Sequence, residues 1–144
     1  MENNLLMNLY FDGASRGNPG KAAYGCVVYD KEENELFFEN KYIGNKTNNV
    51  AEYCGLIQGL ELCVKNGINE INVYGDSMLV LEQMKGKWRV KSDNLIPYWQ
   101  QAKNLEKKFS KITYNHVYRK NNKRADKLAN MALDAADLED ENEA

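Results

Sequence analysis

Residues 5–20 read LLMNLYFDGASRGNPG, and the interpretation of the whole chain depends on this stretch. An apolar run, Leu5–Phe11, ends at Asp12, and a segment of Gly, Ala, Ser, Asn and Pro follows at once. Apolar runs of this length predict strands, whereas clusters of Gly and Pro predict loops. Asp12 is therefore expected at the carboxyl end of a strand, beside a loop with free backbone amides. Such an acid suits a bound cation, but an Asp-Gly turn between two strands explains the same residues.

The composition is that of a soluble domain of ordinary size. The chain has 144 residues, of which 43% are hydrophobic and 28% are charged, enough for one domain with a hydrophobic core. No apolar run approaches the ~20 residues of a membrane span, so we expect no membrane partner. The net charge of −2 excludes nucleic-acid binding by overall positive charge alone. The three cysteines lack a CxxC spacing, which favours reduced thiols in a cytoplasmic protein over a zinc site.

The spacing of apolar residues predicts a meander of strands followed by alternating helices and strands. Strands are predicted at 5–12, 22–30, 35–44, 68–76 and 111–119, and helices at 50–65, 77–85, 95–109 and 122–138. Because short turns join the first three strands, they are expected to pair antiparallel, with strands one, four and five as parallel neighbours. This order predicts an α/β domain over residues 1–138, a mixed five-stranded sheet with helices packed on it. The acidic residues 139–144 are expected to form a disordered tail.

Four acidic residues fall at one edge of this predicted sheet, where the carboxyl ends of parallel strands meet. Asp12 and Asp76 end strands, and two further acids, Glu52 and Asp126, begin helices. Each has a structural explanation. Glu52 suits a capping box with Asn49, whereas Asp76 suits a helix cap. Asp126 suits a helix dipole. Together, however, four carboxylates repel one another unless a cation neutralises them. Oxygen ligands without His or Cys suit Mg²⁺ or Mn²⁺.

Four segments of the chain resemble one family. DGASRGNPG, TNNVAEYCGLIQGL, YGDSMLVLEQMKGKW and RADKLAN occur in the order found in type 1 ribonuclease H, over residues 5–133. The resemblance implies a ribonuclease H-like fold and hydrolysis of the RNA strand of an RNA–DNA hybrid, leaving 3′-hydroxyl and 5′-phosphate ends. It implies two Mg²⁺ ions, for which Mn²⁺ substitutes. The metal-binding and catalytic residues that it implies are Asp12, Glu52, Asp76 and Asp126.

The resemblance also indicates which residues contact the substrate. RNA displays 2′-hydroxyls in a wide, shallow minor groove, where backbone groups reach them without reading sequence. The candidates for these contacts are Gly13, Ala14, Ser15, Asn18, Asn48 and Asn49. The three asparagines are equally explained as turn and cap residues. We expect a monomer, and double-stranded RNA stays open as a second substrate.

Two features of this sequence distinguish it from the longer members of the family that it resembles. A short basic segment, residues 85–91, replaces a long basic protrusion, as in the compact archaeal and bacterial branch. Its four cations either hold the DNA strand, with Trp88 as an apolar anchor, or form a solvated turn. The only histidine, His116, either assists catalysis from a loop before the last acid or lies in a continuous strand. In the second case the loop carries Arg119 and Lys120 instead.

Two other functions are compatible with the same residues. One is a different nuclease on the same fold, because a fold does not determine a function. The other is a non-catalytic module that binds hybrids. The Asn-Pro-Gly and Thr-Asn-Asn segments argue against the first, and the presence of all four acids argues against the second.

Overall fold

The computed structural model describes residues 6–143. Residues 1–5 and Ala144 lie outside this range, and with them Leu5, the first residue of the predicted first strand. The elements, in chain order, are β1 (Leu6–Gly17), β2 (Gly20–Tyr29), β3 (Glu35–Lys46), α1 (Asn48–Lys65), β4 (Glu70–Gly75), α2 (Met78–Met84), α3 (Ile96–Glu106), β5 (Lys111–His116), a 3₁₀ turn (Arg119–Asn121) and α4 (Lys123–Glu143).

The five strands form one mixed sheet in the order β3-β2-β1-β4-β5. β1 pairs antiparallel with β2, which pairs antiparallel with β3, whereas β1, β4 and β5 run parallel. The predicted fold class is therefore confirmed. The last pair of the β1–β4 ladder joins Tyr10 to Tyr74, whose rings stack 4.8 Å apart. Because side chains alternate along a strand, Asp12 and Asp76 follow these tyrosines on the same face of the sheet.

The segment after Asp12 is not a loop. β1 continues to Gly17, and its pairing with β2 runs until Gly17 faces Gly20. Only Asn18 and Pro19, joined by a cis peptide bond, form the turn. The predicted loop after Asp12 and the alternative Asp-Gly turn were therefore both wrong, since Asp12 lies inside a strand, opposite Gly25 of β2. Cross-strand partners in β2 therefore bind the backbone groups on one side of this segment, whereas the ladder with β4 ends at Tyr10 and leaves the other side without a partner strand.

The helices cover both faces of the sheet. Buried side chains of α1, α2 and α3 pack with Leu9 and Phe11 of β1 and with Ile71 and Val73 of β4. α4 packs on the other face, against β1, β2 and β3. The buried residues of α4 are Ala125, Leu128, Ala129, Leu133 and Ala136. None of the helices within residues 6–143 has the length and apolar character needed to cross a membrane.

The acidic end of α4 is helical rather than disordered, since the helix continues to Glu143. Acidic residues of the last turns of α4 contact the β1–β2 hairpin. Arg16 Nη2 contacts Asp134 Oδ1 and Arg16 Nη1 contacts Asp137 Oδ2, both at 2.7 Å. Lys21 Nζ lies 3.1 Å from Asp137 Oδ1 and also binds Asp140. These ion pairs join the acidic turns of α4 to the hairpin, and Ala144 alone of the predicted tail lies outside the described residues.

Candidate active site

A cavity of about 580 Å³ opens where the carboxyl ends of β1, β4 and β5 meet the starts of α1 and α4. All four predicted acids line it. The other residues that line it are Gly13, Ala14, Ser15, Arg16, Asn48, His116, Tyr118, Arg119, Asn130 and Leu133. The sheet topology thus brings together residues that are far apart in the sequence.

Three of the acids form a compact cluster. One carboxylate oxygen each from Asp12, Glu52 and Asp76 lies within 4.8 Å of the other two. Asp76 follows directly after β4, while Ser77, not Asp76, caps α2 by accepting a hydrogen bond from the Val80 N–H at 3.3 Å. The carboxylate of Asp76 is therefore not used as a helix cap.

Glu52 reaches the cluster from the beginning of α1. Thr47 caps this helix by accepting a hydrogen bond from the Val50 N–H at 3.2 Å. Oε1 of Glu52 accepts a hydrogen bond from the Gly13 N–H at 3.1 Å, so the side chain points to β1 and not back to Asn49. The approach is this close because Gly13 has no side chain: a Cβ there would lie 2.3 Å from the backbone N of Glu52.

Asp126 borders the cluster from the first turn of α4. Its Oδ1 accepts a hydrogen bond from Asn130 Nδ2 at 3.2 Å, and its carbonyl oxygen accepts one from the same nitrogen at 3.0 Å. Oδ1 of Asn130 in turn accepts a hydrogen bond from Arg16 Nη2 at 3.3 Å. Asn130 thus orients the Asp126 carboxylate. One sequence signal pointed to this role of Asn130: it lies four residues after Asp126, and residues with this spacing are neighbours on one face of a helix.

In the absence of a cation, the charge of each acid in the cluster disfavours the ionised form of its neighbours. Burial raises the pKa of Asp12 from 3.8 to about 8, and the charges of Asp76 and Asp126 add to the shift. Burial also raises the pKa of Glu52 well above its usual value, with further contributions from the charges of Asp12 and Asp76. Oδ2 of Asp76 is buried and has no hydrogen-bond partner among the described residues. A divalent cation would neutralise this charge and coordinate the unpaired oxygen, so the cluster fits Mg²⁺ or Mn²⁺.

The predicted substrate contacts divide into two groups. Gly13, Ala14, Ser15 and Asn48 line the cavity, whereas Asn18 and Asn49 do not. Oδ1 of Asn18 accepts a hydrogen bond from the Asn48 N–H at 3.1 Å, which joins the β1–β2 turn to the start of α1. The structure therefore gives Asn18 a structural contact, in line with the turn interpretation.

His116 is the last residue of β5 and pairs with Gly75 of β4, so it lies in a strand and not in a loop. β5 was predicted to reach Arg119 but ends at His116, which lines the cavity. The imidazole ring meets the ring of Tyr118 edge to face, with centroids 5.5 Å apart. Arg119 lines the same cavity, but Lys120 does not. Tyr118, Arg16 and Asn130 were not predicted as site residues, because only the tertiary fold brings them to this edge of the sheet.

Comparison with known proteins identifies related sequences. Residues 10–132 match the family model described as "Reverse transcriptase-like". The bifunctional protein Rv2228c of Mycobacterium tuberculosis is 51% identical over 126 residues, which cover 87% of this chain and 35% of that protein. Ribonuclease HI of Halobacterium salinarum is 42% identical over 130 residues, which cover 90% of this chain and 65% of that protein. The chain therefore spans only part of the length of these relatives.

Solved structures of related proteins share the fold. RNase H1 of Halobacterium salinarum matches with a TM-score of 0.88 at 42% identity, over 90% of this chain and 98% of that one. LC11-RNase H1, solved in complex with an RNA/DNA hybrid, matches with a TM-score of 0.86 at 37% identity, over 90% of this chain and 98% of that one. From its sequence, its sheet topology and these matches, we conclude that the chain belongs to the ribonuclease H family.

Proposed function

We propose that the protein is an endoribonuclease that hydrolyses the RNA strand of RNA–DNA hybrids with the help of divalent cations. The observation that carries this proposal is the cluster of Asp12, Glu52 and Asp76, whose mutual repulsion a bound divalent cation would relieve. The hybrid bound to the related LC11-RNase H1 supports the choice of substrate. All four family carboxylates border one open cavity, which supports catalysis over binding alone.

Two Mg²⁺ ions, for which Mn²⁺ substitutes, are the proposed cofactors. Asp12 and Asp76 would hold them most directly, with Glu52 on one side and Asp126, oriented by Asn130, on the other. When bound, the two ions supply an activated water and a positive charge at the leaving oxygen, which yields 3′-hydroxyl and 5′-phosphate ends. Burial of Asp12 and Glu52, which are 4% and 9% exposed, keeps bulk water away from these ligands.

The proposed substrate contacts come from the rim of the cavity. Backbone groups of Gly13, Ala14 and Ser15, with the side chain of Asn48, would contact 2′-hydroxyls of the RNA strand. Double-stranded RNA presents the same groups and is a second candidate substrate. One copy of the chain carries all four acids, so a single copy suffices for the chemistry. The three free cysteines support a reducing compartment, the cytoplasm.

Cleavage of an end-labelled RNA–DNA hybrid with Mg²⁺, Mn²⁺ or EDTA tests the proposal. Single-stranded RNA and duplex DNA are the competing substrates. We expect metal-dependent cutting of the hybrid, reduced about a hundredfold or more by Asp76→Asn, since this change removes one carboxylate charge from the metal ligands. Asp93→Asn, an exposed acid between α2 and α3, is the matched control and should leave the rate unchanged.

Three outcomes would contradict the proposal. Binding of the hybrid without any cutting would indicate a non-catalytic module. Cutting of duplex DNA would indicate another nuclease on the same fold. Equal loss of activity in the Asp76 and Asp93 variants would show that the carboxylate cluster is not the reactive centre.

A further inference from the structure

β3 forms one edge of the sheet, and within residues 6–143 no strand pairs with its outer side. It is an edge strand of 12 residues, and its regular part, 37–42, lies between two register shifts in the pairing with β2. Three of its apolar side chains are exposed: Leu36 by 40%, Phe38 by 53% and Tyr42 by 38%. Long edge strands with exposed apolar side chains are templates for pairing with another strand.

The side chains of β3 are self-complementary about Asn40. When two antiparallel copies of the strand pair with Asn40 opposite Asn40, Glu39 of each copy faces Lys41 of the other. The same register places Phe38 of each copy opposite Tyr42 of the other. Opposite charges and aromatic pairs that face each other across an antiparallel ladder stabilise it. Every favourable pair occurs twice, as a two-fold interface requires.

The neighbouring registers lack this complementarity. A pairing centred on Glu39 places Glu39 opposite itself, and a pairing centred on Lys41 places Lys41 opposite itself; like charges in these positions destabilise a ladder. A pairing centred on Phe38 brings Lys41 to Glu35, whose two carboxylate oxygens already bind Arg124 at 2.9 and 3.2 Å. The charges of β3 therefore select the register centred on Asn40.

We propose that two copies of the chain associate through the outer edge of β3, antiparallel and centred on Asn40, to form one continuous sheet. Asn40 keeps its hydrogen bond to the Leu128 carbonyl oxygen of α4, at 2.7 Å, since this contact lies within each copy. The proposal departs from the monomer that we expected from the sequence. It is independent of the proposed catalytic function, because no residue of β3 lines the active-site cavity.

The interface is small, because it consists of one strand edge from each copy. Interfaces of this size are weak, and association is expected to depend on protein concentration. The weight-average mass should rise from 16.5 kDa towards twice that value as concentration increases. The two cavities would face opposite ends of the joint sheet, since the two β1 strands run in opposite directions.

Charge reversal at positions 39 and 41 tests both the interface and its register. Sedimentation equilibrium of the full chain would compare the wild type with Lys41→Glu, with Glu39→Lys and with the double variant that carries both. We expect each single variant to weaken dimerisation at least tenfold, because like charges then face each other. The double variant restores both charge pairs and should return to within about threefold of the wild type. Lys31→Glu, the same charge change in the β2–β3 turn, is the control and should dimerise as the wild type does.

Several results would overturn the proposal. They are a wild type that stays monomeric up to millimolar concentration, a Lys41→Glu variant that dimerises as the wild type does, and a double variant no better than the single ones. The last result would indicate a register centred on Phe38, where the acid introduced at position 41 faces Glu35. Circular dichroism and thermal unfolding of each variant would show that the fold is retained. A lower weight-average mass then reports on the interface alone.

Discussion

At the residue scale, the buried carboxylates couple the charge of the cavity to the stability of the protein. Asp12 and Glu52 both have raised pKa values, first because of burial and then because of neighbouring acids. At pH values between the usual pKa and the raised pKa of these two acids, the native state binds more protons than the unfolded chain. The free energy of unfolding must therefore fall as the pH rises through this range.

We predict that the metal-free protein is most stable in mildly acidic solution and loses stability as the pH approaches about 8, the pKa of Asp12. The measurement is the thermal midpoint in EDTA between pH 5 and pH 8. Adding Mg²⁺ should raise the midpoint most at the alkaline end, where the ligands are ionised. Asp12→Asn should flatten the profile in EDTA. A midpoint that rises steadily with pH in EDTA would contradict the prediction.

Site residues were predictable from the sequence when the residue type itself indicates the chemistry, as a carboxylate indicates metal binding. The motifs identified Asp12, Glu52 and Asp76, and the structure brings all three together. Asn130 was missed, because its role depends on the side chain that it touches and not on its own type. The sequence also did not decide whether Asp76 and Glu52 bind metal or cap helices. Ser77 and Thr47 are equally good caps, and in the structure they take this role.

At the scale of elements, the close contact of α1 with β1 fixes the distance between Glu52 and Asp12. Two of the glycines at this contact allow it in different ways. A Cβ on Gly13 would lie 2.3 Å from the backbone of Ala51 and Glu52. A Cβ on Gly59 would lie 2.6 Å from Leu9 Cδ1, which belongs to a side chain and not to the backbone. The backbone contact is the more rigid of the two.

We predict that Gly13→Ala destabilises the fold by about 1–3 kcal/mol, as overpacking in a core does. It should also reduce hybrid cleavage at least tenfold, because α1 must move away and take Glu52 with it. Gly59→Ala is the matched control, with a smaller loss of stability and near-normal cleavage. Urea unfolding and initial cleavage rates measure the two effects. Equal behaviour of the two variants would show that the α1–β1 distance does not control the site.

The existence and order of the strands and helices were predictable from the sequence, but several boundaries were not, and two of them show the reason. The extension of β1 to Gly17 depends on pairing with β2, which a local pattern of Gly, Asn and Pro does not reveal. The last turns of α4 contact the hairpin through ion pairs of Asp137 and Asp140 with Arg16 and Lys21. Both boundaries are determined by partners that are distant in the sequence, and such partners override local propensity.

At the scale of the whole molecule, the charge is distributed unevenly around a net value of −2. The basic segment 85–91 lies between α2 and α3, with Lys87 and Arg89 exposed. Lys85 Nζ is already paired with Glu82, at 3.0 Å. Lys87, Arg89 and Lys91, which is also exposed, are therefore the better candidates for contacts with phosphates of the DNA strand.

We predict that replacing Lys87 and Arg89 with Gln weakens hybrid binding and makes it less sensitive to salt. Each lost phosphate contact lowers the slope of log K against log salt by about 0.7–0.9. Fluorescence anisotropy in an Asp76→Asn background, which prevents cleavage, measures this slope. Lys31→Gln, a charge loss in the β2–β3 turn, is the control. An unchanged slope in the double variant would show that the segment is a solvated turn.

The ion pairs between the hairpin and α4 also have a consequence for protein synthesis. Arg16 and Asp134 are 118 residues apart in the chain, so Arg16 leaves the ribosome long before its acidic partners exist. A nascent chain that has already formed β1–β5 still lacks Asp126 and the residues of α4 that hold Arg16. The cavity is therefore completed only when α4 emerges, and a ribosome-bound chain that stops before α4 carries an unfinished active site.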